Sequence, residues 1–116
     1  MNSQPHRVIA PFQKLDVYQA SLELAACVHR AEVSDAELRD QVRRASKSVF
    51  LNLCEGLPSR SPAMRRRYFD SALGSACEVS GAIDLARAID AIDADTASQL
   101  SSLTDRVGQM LRVLRR

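Results

Sequence analysis

The stretch Asn52-Leu53-Cys54-Glu55-Gly56-Leu57-Pro58-Ser59-Arg60-Ser61-Pro62 decides the fold, because it stops one helix, turns the chain and starts another. Gly56 suits a left-handed helix cap, Leu57 the hydrophobic contact that accompanies one, and Pro58 forbids continuation. Ser61 offers a side-chain acceptor to free amides, and Pro62 fits the first helical position, where no amide hydrogen is needed. Two charge choices oppose the helix dipole: Glu55 at a C-terminus, and Arg65, Arg66 and Arg67 in the first turns of the next helix. Residues that break a local rule often answer to a partner or a function.

Working outward, each side of this turn reads as a long helix. Upstream, Leu38, Val42, Ala45, Val49 and Leu53 fall within a narrow arc at ~100° per residue. This second helix opens at a capping box, Ser34-Asp35-Ala36-Glu37, and runs to about residue 55. Its last turns add Phe50, Leu51, Cys54 and Leu57, which project outside the core arc. An apolar surplus of this kind predicts a partner surface, here an interface between copies of the chain. Downstream, the third helix spans residues 62–89, with Tyr68, Phe69, Ala72, Leu73, Ala76, Val79, Ile83 and Ala86 facing the core. On its other side Gly74, Gly81 and Ala88 recur every seven residues. A helical Gly costs roughly 1 kcal/mol relative to Ala, so Gly74 and Gly81 point to close approach of another backbone, either within the bundle or from another subunit.

The outer helices complete the pattern. Residues 14–31 form the first, with Leu15, Tyr18, Leu22, Ala25 and Val28 at the three-or-four spacing of a buried face. The fourth starts at Asp93 or Asp95 and carries the stripe Leu100, Leu103, Val107, Met110, Leu111 and Leu114. Three short connections make sequential helices antiparallel neighbours, so the expected fold is all-α, an up-down-up-down four-helix bundle over residues 12–116. Residues 1–11, polar and holding Pro5 and Pro11, read as a flexible N-terminal arm.

Composition agrees. In 116 residues only 4% are aromatic, there is no Trp, and Ala and Leu fill the interior. Cys27, Cys54 and Cys77 are odd in number and widely spaced, and read as reduced, small core residues of a cytoplasmic protein. No run approaches the ~18 apolar residues of a membrane span, so no membrane partner is expected.

The net charge of +2 conceals zones. Residues 39–67 hold eight Lys/Arg against Asp40 and Glu55, whereas residues 68–105 hold seven Asp/Glu against Arg87. Arg39, Arg43, Arg44, Lys47, Arg60, Arg65, Arg66 and Arg67 are therefore the candidate nucleic-acid-binding residues. The competing reading consumes them in ion pairs with the acidic segment, inside or between subunits. No nucleophile elbow, phosphate loop or Glu-x-x-His pair occurs. His6 lies in the arm and His29 points away from Cys27, so no metal or cofactor is expected. Asn52 and Glu55 share a helix face, and Glu55 is a conceivable base. The structural reading is favoured: Asn52, Glu55 and Gly56 act as pins, with Glu55 paired to Arg43, Arg44 or Arg60.

Several segments, in order, resemble one family. Phe12-Gln13-Lys14-Leu15-Asp16-Val17-Tyr18-Gln19 is similar to its opening Phe-x-x-Leu-x-Val-Trp-Gln segment. Gln41-Val42-Arg43-Arg44-Ala45 and Asn52-Leu53-Cys54-Glu55-Gly56 resemble its Gln-Ile-Arg-Arg-Ala and Asn-Ile-Ala-Glu-Gly motifs. Arg60-Ser61, Phe69 and Gly74-Ser75-x-x-Glu78 continue the match. Over residues 12–114 the chain resembles the four-helix bundle proteins of the 23S ribosomal RNA intervening-sequence family. Tyr18 replaces the usual Trp and Cys54 the usual Ala. The resemblance implies a bacterial, non-enzymatic bundle that assembles into a ring-like homopentamer. It also implies kinship with the accessory variability protein of diversity-generating retroelements, whose partners are nucleic acid and a reverse transcriptase. The expected function is thus a homo-oligomeric helical scaffold that binds RNA or DNA through a basic surface. The alternative is a protein-interaction module whose Arg residues serve subunit ion pairs.

Overall fold

The computed structural model describes residues 15–116, in which four helices follow one another: α1 (Asp16–Arg30), α2 (Ala36–Gly56), α3 (Pro62–Ala88) and α4 (Ala94–Leu114). The expected arm, residues 1–11, and the first three residues of the expected bundle lie outside the described residues. Contacts run α1–α2, α2–α3, α3–α4 and α4–α1, closing the ring of an antiparallel four-helix bundle. Both the α1–α2 and α3–α4 connections lie at one end, where the Ser34 amide donates to the Ala91 carbonyl at 2.9 Å. The α2–α3 turn lies at the other end, with the start of α1 and the close of α4. Among the described residues no helix is long and apolar enough to cross a membrane.

The core follows the α2 stripe: Leu38, Val42, Ala45, Val49 and Leu53 are all buried. Phe69, Ala72, Ala76, Val79, Ile83 and Ala86 of α3 and Leu100, Val107 and Leu111 of α4 meet it. Tyr68 and Leu73 are only half-buried, and their places inside go to Ser75 and Ala82. On α4, Leu103, Met110 and Leu114 are half-buried flanks of a stripe completed by Ala97 and Thr104. The Thr104 hydroxyl donates to the Leu100 carbonyl at 2.6 Å, which lets a polar residue sit in the core.

Helix α1 differs from expectation. The face turned inward is Val17, Ala20, Ser21, Leu24 and Val28, while Leu15 is 43% exposed and Tyr18, Leu22 and Ala25 are half-buried. The helix carries two apolar stripes, and the one with the smaller residues permits the closer approach. The larger stripe remains at the surface, where the Tyr18 ring meets Phe50 of α2 edge-on at 5.1 Å between centroids.

Two expected caps also differ. Asp35, not Ser34, caps α2: its carboxylate accepts from the Leu38 amide at 2.9 Å, while the Ser34 hydroxyl turns to Ala91. Gly56 has no positive φ and remains the last residue of α2, with Leu57 in right-handed helical geometry after it. The left-handed cap instead closes α3, at Asp90 with φ 58°. There the Ala91 amide reaches the Ala86 carbonyl and the Asp90 amide the Arg87 carbonyl, the two bonds of a Schellman motif. Asp93 caps α4, accepting from both the amide and the hydroxyl of Thr96. The cysteines are all free, and Cys77 is exposed rather than part of the core.

Candidate nucleic-acid interface

The eight basic residues singled out from the sequence do not form one patch. Helix α2 rises ~1.5 Å per residue, which separates Arg39 from the α2–α3 turn by most of the bundle's length. Arg39 and Arg43 belong to the opposite end, where Arg39 donates to the Val33 carbonyl at 3.3 Å and Arg43 to the His29 carbonyl at 3.2 Å. Arg44 and Lys47 are exposed along the middle of α2. With Ser48, Leu51, Asn52 and Glu55 they line a shallow hollow on the outer face of that helix. Arg60, Arg66 and Arg67 are exposed at the α2–α3 end.

Arg65 has a different task. Its guanidinium donates to the carbonyls of Gly56 (3.3 Å) and Leu57 (2.5 Å), and lies 5.2 Å from the centre of the Phe69 ring. Placed against the dipole of its own helix, it caps the antiparallel neighbour, whose C-terminal carbonyls carry the opposite partial charge. Thus one of the three misplaced arginines is resolved by packing.

Sequence reading passed over the contribution of α4 to this end. Its last turn and the residues after it carry Arg112, Arg115 and Arg116. Arg115 forms a short ion pair with Asp70 of α3, which brings the close of α4 against the first turns of α3. That pairing holds the Asp70 carboxyl below the usual carboxylate range, through the Arg115 hydrogen bond first, with Arg66 adding to it. The signal was available: antiparallel order alone sets the end of α4 beside the start of α3. Seven arginines gather at this end, and among the described residues only Arg65 and Arg115 bond to acceptors there.

The proposed pins behave differently from one another. Asn52 donates to the carbonyl and the hydroxyl of Ser48, at 2.9 and 3.1 Å, and the Ser48 hydroxyl meets that of Ser75 at 2.8 Å. A polar relay therefore joins α2 to α3. Gly56 acts by its lack of a side chain: a β-carbon there would stand 2.7 Å from Phe69 Cε1 and 3.1 Å from Tyr68 Cβ. Glu55 is exposed, and none of the expected Arg partners reaches it among the described residues. Solvation removes the need for a partner. Next to it, burial and the Glu55 charge push the Cys54 thiol up, away from nucleophilic character.

Of the apolar surplus, Leu51 is 60% exposed, Phe50 and Cys54 are half-buried, and Leu57 is buried inside the protomer. Leu57 thus belongs to the core rather than to an outer surface, because the chain turns inward after Gly56. Gly74 and Gly81 are exposed, with nothing within 4 Å of an added β-carbon, so no helix of the same bundle explains them. Leu85 and Ile89, each 50% exposed, extend the apolar surface of α3.

No curated protein matches the chain. Among solved structures it is similar to a protein of unknown function from the S23 ribosomal protein family of Bacteroides thetaiotaomicron VPI-5482. The two share 19% identity with a TM-score of 0.79, covering 86% of this chain and 98% of that one. At such identity the likeness speaks for the bundle alone. Neither that structure nor the matching family model indicates an enzymatic family. The model that matches, over residues 13–113, is that of the 23S rRNA-intervening sequence proteins, and the chain belongs to this family.

Proposed function

We propose that this protein is a non-enzymatic, homo-oligomeric helical scaffold, pentameric as the family resemblance implies, that binds RNA or DNA through the α2–α3 end of its bundle. The observation that carries the nucleic-acid reading is the gathering of Arg60, Arg66, Arg67, Arg112 and Arg116 around the Arg65 cap and the Asp70–Arg115 pair. A guanidinium cluster contributed by two helices offers several phosphate contacts without any sequence-reading motif. The assembly reading rests on exposed Leu51, Leu85 and Ile89, together with Gly74 and Gly81, whose faces nothing in the protomer covers.

Fluorescence-anisotropy titration with a single-stranded RNA and a DNA duplex at two salt concentrations tests the binding claim. Affinity is expected to fall steeply with salt, since each neutralised phosphate releases counterions. Replacing Arg66, Arg67 and Arg112 together with Ala is expected to weaken both ligands and flatten the salt slope. Absence of binding at low salt would leave the second reading, a protein-interaction module whose arginines pair with carboxylates of a neighbouring subunit. The Asp70–Arg115 pair, a link between helices of just that chemistry, is what favours it.

A further inference from the structure

The opposite end of the bundle has an arginine cluster of its own. A hollow between the α1–α2 and α3–α4 connections is lined by Arg30, Arg39, Arg43 and Arg87, drawn from three helices. Each guanidinium is tethered to an uncharged acceptor: Arg30 to Cys27 Sγ at 3.3 Å, Arg39 to the Val33 carbonyl, Arg43 to the His29 carbonyl, and Arg87 to the Ile92 carbonyl at 3.2 Å. None forms an ion pair; among the described residues the one ion pair in the protein is Asp70–Arg115, at the other end. In addition, Nε of Arg43 is buried and has no hydrogen-bond partner.

Three carboxylates share the hollow: Glu32, Asp90 and Asp93. Asp93 spends its oxygens on the amide and hydroxyl of Thr96 as the α4 cap but keeps its charge, so three carboxylates face four guanidinium groups. The walls are fixed by the Ser34–Ala91 hydrogen bond between the two connections. A buried guanidinium N–H without an acceptor is costly, and the guanidinium groups around the concavity outnumber its carboxylates. Each fork already has one N–H anchored, so its remaining donors are oriented, and little freedom is lost on binding.

We propose that this hollow is a binding site for a phosphoryl group, of the charge carried by a phosphate monoester or a diphosphate. Tetrahedral oxyanions accept paired N–H bonds from several guanidinium forks at once, which one carboxylate on the walls cannot do for all four. The site is separate from the α2–α3 end and does not depend on nucleic-acid binding there.

Nuclear magnetic resonance of the arginine Nε–Hε groups in the full chain provides the test, with inorganic phosphate, pyrophosphate, sodium chloride at matched ionic strength, and a short single-stranded RNA as titrants. Phosphate or pyrophosphate is expected to move the Arg30, Arg39, Arg43 and Arg87 signals saturably, and chloride is not. Arg30→Gln, at an exposed position with one tether, is expected to weaken pyrophosphate binding at least tenfold without unfolding the protein. Asp90→Asn, which removes an opposing charge and tolerates the left-handed backbone, is expected to tighten it. Arg66→Ala with Arg67→Ala should leave pyrophosphate binding unchanged, which separates this claim from the nucleic-acid reading. If RNA alone moves the four signals, the hollow takes a phosphodiester backbone and the monoester or diphosphate claim fails. Shifts that chloride reproduces, or pyrophosphate affinity unaltered in both Arg30→Gln and Arg43→Gln, would overturn it.

Discussion

Gly56 and Phe69 stand where α2 ends and α3 begins, so close that a β-carbon on Gly56 would lie 2.7 Å from Cε1 of the ring. Phe69 is 1% exposed, and so has no free direction in which to yield. The glycine is therefore required by packing rather than by backbone conformation. Gly56→Ala is expected to cost about 1–3 kcal/mol, the usual range for overpacking a filled core. Urea unfolding checks it, and an unchanged midpoint would place the ring elsewhere. Gly74→Ala is the contrasting case. Nothing in the protomer obstructs it, and helix propensity alone favours it by up to ~1 kcal/mol.

Arg65 draws the turn shut by holding the carbonyls of Gly56 and Leu57. Arg65→Ala should destabilise the fold by about 1.5 kcal/mol, the lower end for bonds to a charged group because the side chain is half-buried. Arg65→Lys is expected to recover only part of this, since an ammonium keeps the charge and the donors but lacks the flat guanidinium that lies over Phe69. Full recovery in the lysine variant, measured by the same unfolding experiment, would reduce the role of Arg65 to its charge.

Acid sensitivity follows from two carboxylates. Asp70, held by Arg115, and Asp93, held by Thr96, both titrate below their ordinary value of 3.8 in the folded protein. A group whose folded pKa is lowered adds stability that is complete above the unfolded pKa and is lost as pH falls through the folded one. Stability should therefore drop below about pH 4. In Asp70→Asn the acid limb is expected to be shallower than in the parent protein, as followed by thermal unfolding from pH 6 to pH 2. Identical limbs would assign the acid response elsewhere.

How far the sequence could be read varied with the kind of contact. Helix α2 has one unbroken stripe from Leu38 to Leu53, and all five of its residues are buried. Helix α1 has two, and periodicity cannot say which turns inward; the bulkier stripe, with Leu15 and Tyr18, stays at the surface. Gly56 was legible as a special position, but its reason lies in Phe69, thirteen residues later in the chain. Asp90 shows the converse: the left-handed cap fell to an aspartate, where glycine content gives no hint. The basic set divided because charge counting along the chain ignores the ~26 Å that seventeen helical residues span. Arg112, Arg115 and Arg116 joined the α2–α3 end because antiparallel packing returns α4 to it.

Whether the protein assembles is read by sedimentation equilibrium at micromolar concentration. A species several times the 12.8 kDa of the chain is expected, five times for a pentamer. Leu51→Glu, at a residue 60% exposed in the protomer, should shift the protein to smaller species while its helical content is kept. A stable monomer of 12.8 kDa in the parent protein would contradict assembly.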